Sequence, residues 1–275
     1  MGYLISSKTV SEAFNKGIPA IGSDHSIILG WIYYFEVMAR FSFRHWRTED
    51  IEASVSSLGF DPDGSEICAL QFMLARATFI QSVPGISAHA HPVIQVLAEV
   101  SGISMYPTHS NYTLTEYQQL LEDLRTKLDI VTTTPIGLDA CSEEVTRHEQ
   151  GLLRLCRLAG LIYLERVSNR FSGRSQKLDA WTHSAVSTIA RMETCFAPFA
   201  LFIVSCELDS DEDRLIVLRL FRKMEQRPYL KSFMEIRSLI QTAWNQEDLA
   251  GPGGLEYVHK LNLVVSSRDV MPSLI

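Results

Sequence analysis

The groups in this chain that can do chemistry are imidazoles and carboxylates set beside aromatic residues, and four stand out: Glu36, His45, His89 and His91. His89 and His91 lie two apart in the sequence HAHP. A strand would put both on one face, but Pro92 follows at once, so the pair reads as loop or capping residues. Two imidazoles can also bind a metal or work as acid and base. No HExxH and no facial-triad spacing accompanies them. His45, between Arg44 and Trp46, reads first as a solvated helix end and second as a group at a pocket mouth. Glu36 falls in a segment that is apolar on nearly every face. A carboxylate there needs a partner, and Arg40, one helical turn on, can supply it. The readings for Glu36 are a structural pair, an exposed edge, or a polar group in a pocket.

The other titratable groups have plainer readings. His148 pairs with Glu144 on an exposed helix face, and His183, just after Trp181, reads as packing. Glu143 and Glu144 point in different directions and favour a helix start by their field, as do Asp211, Glu212 and Asp213. There is no nucleophile elbow, phosphate loop or dinucleotide fingerprint. Cys68, Cys141, Cys156, Cys195 and Cys206 form no CxxC pair. They read as free buried thiols in a reducing compartment, not as a zinc site or a disulfide framework. No cofactor and no metal are expected. The aromatic residues are more informative. Trp31, Tyr33, Tyr34, Phe35, Phe41 and Phe43 crowd one segment, and Phe72 and Phe79 recur in another. Such groups fill a core, or line an apolar cavity in which tyrosine hydroxyls orient a ligand. Met38, Met73 and Met105 suit adaptable lining of the same kind.

The elements that would hold these groups are helices. The chain has 275 residues, 46% of them hydrophobic, which suits one large domain or two sharing a core. Its formal net charge is -7, and the densest basic stretch, 214–227, follows a run of acids. A phosphate backbone needs clustered Lys and Arg, so this composition argues against direct nucleic-acid binding. No apolar run reaches membrane-span length, and the start lacks a signal-peptide pattern. Met1-Gly2 with Ser6 fits the loose myristoylation pattern only formally.

Residues 1–22 read as an N-terminal arm. A buried helix capped by Ser23 or Asp24 runs to about residue 41. Short helices follow over 48–58 and 65–81. Pro92 opens the next one, which carries Val93, Ile94, Val96, Leu97 and Val100. Thr113 and Glu116 have capping-box spacing ahead of a stripe of Tyr117, Leu120, Leu121, Leu124 and Leu128. A long helix from Ser142 to about residue 170 would span roughly 40 Å, with Gly160 admitting a second helix closely. Helix returns over 178–194, and Pro198 starts or kinks an apolar segment to Cys206. Ser210 with Asp213 caps a helix striped by Leu215, Leu218, Phe221 and Met224. Pro228 separates it from one capped by Ser232 and Glu235 and striped by Phe233, Ile236, Leu239, Ile240 and Trp244. GPGG at 251–254 breaks the pattern, and the tail after it is helical or extended. The expectation is one all-α domain of roughly ten helices over 23–250, centred on 145–170 and 195–206, with 251–275 a tail packed on it.

The order of these segments resembles the fungal-specific transcription factor domain. The stretches that carry the likeness are LGWIYYFEVMARFSFRHW at 29–46, AGLIYLERV at 159–167, PFALFIVSCEL, DSDEDRLIVLRLFRKMEQR and SFMEIRSLIQTAW. The resemblance covers most of 25–244, and the whole pattern is more specific than any one motif. It implies an all-helical regulatory domain that follows a Zn2Cys6 DNA-binding module, with a lipid ligand in some sterol regulators. The six-cysteine module and its basic linker are absent from this sequence. The chain is therefore expected to be a ligand-responsive regulatory domain in nucleus or cytoplasm. It would bind a small apolar metabolite, with a homodimer or a regulator as protein partner. It would make no direct nucleic-acid or membrane contact. The alternatives are a cofactor-independent cyclase or isomerase of fungal secondary metabolism, using His89, His91, Glu36 and His45, and a dimerisation or scaffold module.

Overall fold

The computed structural model describes residues 22–46, 90–102, 114–133, 143–169, 171–226, 231–250, 256–268 and 272. Expectations for the N-terminal arm, the helices over 48–58 and 65–81, His89, Cys68, Cys141, Pro228 and GPGG lie outside these residues. The elements are α1 (Gly22–His45), α2 (Pro92–Gly102), α3 (Leu114–Ile130), α4 (Glu143–Tyr163), α5 (Gln176–Ile189), α6 (Pro198–Ser205), α7 (Asp211–Glu225), α8 (Lys231–Leu249) and α9 (Tyr257–Ser266). A π turn, Leu164–Ser168, continues α4. The fold is all-α, with no strand among the described residues.

α4 and α6 form the centre. All eight residues of α6 are buried, as a helix apolar on every side must be. Pro198 opens it, where a missing N–H has no intrahelical role to lose. Leu155, Ala159, Ile162, Tyr163 and Val167 turn from α4 and its π turn into the same core. α5 and α6 pack along α4, α2 and α3 cover another side, and α8 and α9 close over α6 and the end of α1.

Gly160 explains how closely α2 and α3 approach α4. A Cβ built there would lie 2.6 Å from Leu97 Cδ2 and 3.3 Å from Leu128 Cδ2. Four expectations need correction. The long helix does not stay α-helical to residue 170. It widens into the π turn, where the Asn169 N–H reaches Leu164 O at 3.2 Å and Tyr117 Oη donates to Ser168 O at 3.0 Å. The helix over 178–194 is α5, which starts earlier, capped by Ser175 Oγ accepting from Leu178 N, and stops at Ile189 so that the chain can reverse into α6. In α7 the buried stripe is Val217, Leu220, Phe221 and Met224, whereas Leu215 is 47% exposed. Ser210 caps α7 as expected, accepting from Asp213 N at 3.1 Å. α8 begins at Lys231, so Ser232 lies inside its first turn instead of ahead of it, while Phe233, Ile236, Leu239, Ile240 and Trp244 are all buried. The tail resolves as helix α9, with Glu256 capping its first turn.

Candidate functional site

His45 ends α1 fully buried, which corrects its reading as a solvated helix end. α9 returns over this end and covers it. His45 Nδ1 lies 2.7 Å from Asn262 Oδ1 on α9, and Nε2 lies 2.9 Å from Tyr163 Oη on α4. An amide oxygen only accepts, so Nδ1 carries the proton and Nε2 accepts from the Tyr163 hydroxyl. Burial lowers the His45 pKa to about 3; the Asn262 hydrogen bond opposes that shift and the Arg44 charge adds to it. The imidazole is therefore neutral at physiological pH. The same corner is tied further by Arg44 Nη1 to Ser101 O at 3.0 Å and by Ser266 Oγ donating to His45 O at 3.2 Å.

Glu36 lies two and a half turns earlier on α1, roughly 13 Å along the axis from His45. It is buried and meets Arg40 Nη2 at 2.5 Å, the partner expected one turn on. The neighbouring Tyr33 hydroxyl is raised in pKa, first by burial, with Arg40 opposing and the Glu36 and Glu99 carboxylates adding. His91 precedes α2. Its Nδ1 accepts from Val93 N at 3.2 Å, and its carbonyl accepts from Ile94 N at 2.8 Å. It is a capping residue, one of the two roles that HAHP suggested. Glu36, His45 and His91 are thus each engaged in bonds that hold helices, and the two on α1 are too far apart to act on one atom.

Two other histidines differ from expectation. His148 is half-buried against Thr194 Oγ1 at 3.4 Å and the Phe196 ring at 6.5 Å, because the turn before α6 folds over it. His183 is exposed on the outer face of α5, not packed. Cys156, Cys195 and Cys206 are buried free thiols, each pushed up to about 12 by burial. Among the described residues no group of three or more His, Cys, Asp or Glu is placed to hold a metal ion.

A set of partly buried charges escaped the sequence reading. Arg166, on the π turn, meets Glu207 just past α6 through Nη2 at 2.7 Å and Nε at 3.1 Å. Its Nη1 donates to Phe171 O at 3.1 Å and Gly173 O at 2.5 Å. Burial works against the Arg166 charge, and Glu207 more than restores it, so its pKa is raised. Lys260 on α9 donates to Cys206 O at 3.2 Å and to Glu247 on α8 at 2.7 Å. Arg166 and Lys260 both lie over the Tyr257 ring, at 5.3 and 5.2 Å. Each cation has its carboxylate, so the set clasps four elements together. Arg166 and Glu207 stand 41 residues apart in the chain. No local spacing announces such a pair; the only cue was a carboxylate directly after an all-apolar run.

With Ser42, Arg157, Ser168, Ser205 and Tyr257, Tyr34 is one of six described residues that keep a buried side-chain polar atom without a hydrogen-bond partner. Burial raises its pKa well above the usual phenol value, and the Cys156 and Cys195 thiols beside it add to the effect.

Known proteins place this arrangement in a family. The sequence profile of the fungal specific transcription factor domain matches residues 3–271. Transcription factor iacI of Pestalotiopsis fici is 27% identical over 274 residues, a match that covers 98% of this chain and 65% of that relative. The chain thus spans about two thirds of the relative's length. No solved structure matches it.

Proposed function

The chain belongs to the fungal-specific transcription factor domain family, and from that premise we propose that it is a ligand-responsive regulatory domain that binds a small apolar metabolite. It acts in the nucleus. DNA reading falls to a module outside these residues or to a regulator partner, with a homodimer as the other arrangement. Two features support that division. The five cysteines lack Zn2Cys6 spacing, and the net charge is -7. Among the described residues no helix is long and apolar enough to cross a membrane.

The observation that carries a regulatory over a catalytic reading is the state of the candidate acids and bases. A cyclase or isomerase would need polar groups converging on one substrate atom. Glu36 is bound to Arg40, His45 to Asn262 and Tyr163, and His91 to the first turn of α2. The test compares the deletion strain with its parent. Altered transcripts, with a metabolite that binds the purified chain and is recovered unchanged, are expected. A new product formed in catalytic amounts when the purified chain is incubated with deletion-strain extract, with transcripts unchanged, would overturn the regulatory reading.

A further inference from the structure

We draw no further inference here: the strongest candidate, the apolar surface patch where the exposed Phe196 ahead of α6 meets the Phe233 ring on α8, with the exposed Met234 next in the chain, is an unpartnered face, and nothing in the structure shows what covers it.

Discussion

His45 shows how a residue that looks reactive in sequence can be structural in the fold. Both ring nitrogens are bonded, the ring is buried, and its pKa is lowered to about 3 from the usual 6.5, first by burial. The consequence for stability has a definite sign. The unfolded chain takes up a proton on this ring as pH falls below 6.5, and the folded chain does so only near 3. The contribution is therefore fully present above pH 6.5 and is lost progressively as pH falls towards 3. From pH 7 to pH 5 that amounts to about 2 kcal/mol. His45→Gln, which keeps polar reach without this titration, should give a stability profile flatter by that amount over the same range, measured by urea unfolding. Parallel profiles for the two proteins would show that the imidazole does not titrate in this way. Burial by α9 could not be read near residue 45, because Asn262 lies 217 residues away. The Glu36–Arg40 pair, four residues apart on one helix, was legible for the opposite reason.

Among the elements, the stripes of α2, α3 and α8 followed directly from periodicity, since one side of each faces the core and the other does not. In α7 the second half of the stripe, Phe221 and Met224, was read correctly and the first half was not. Its Leu215 and Leu218 are apolar yet stand at the edge of the seat, and Val217 and Leu220 take the buried positions. Leucine on a helix surface carries no mark of which neighbour it faces. The π turn after α4 was illegible, because its widening depends on contacts made by Tyr117 and Arg166 with distant chain. Gly160 was legible as a close approach, and the structure identifies the helices as α2 and α3 through Leu97 and Leu128. Leucine at 160 would need volume that those side chains already fill. Gly160→Leu should destabilise the domain by about 1–3 kcal/mol or prevent its folding, despite the better helix propensity of leucine. An unchanged melting temperature would mean that α2 and α3 do not press on α4 there.

At the scale of the molecule, two predictions separate charge from packing. A chain of net charge -7 without zinc-ligand spacing should not retain duplex DNA sequence-specifically at physiological salt, and a specific band shift with the purified chain would refute this. The second concerns how the C-terminal helix completes the fold. α9 buries Tyr257, Val258, Leu261, Val264 and Val265, and at about 1.5–3 kcal/mol for each large side chain that is roughly 8–15 kcal/mol. Burial counted this way is an upper bound, yet it is as large as the whole stability of an ordinary domain. Polar ties add to it. Asn262 holds His45 on α1, Lys260 holds Cys206 O and Glu247, the Tyr257 N–H is taken by Ser172 Oγ at 3.2 Å, and Arg268 bonds Ser238 Oγ. A tail only laid on a finished domain could be removed with little effect. A helix that fills the gap between the end of α1, the π turn and α8 cannot. Ending the chain after residue 255 should therefore abolish cooperative thermal unfolding, expose apolar surface to a dye such as anilinonaphthalene sulfonate, and shift the protein towards aggregates in size-exclusion chromatography. The single substitution Lys260→Met, which keeps the stem buried and removes the charge, should leave folding intact but unpair Glu247 and lower the midpoint in urea. A truncated chain that still melts in one sharp transition within a few degrees of the parent would show that the core closes without α9.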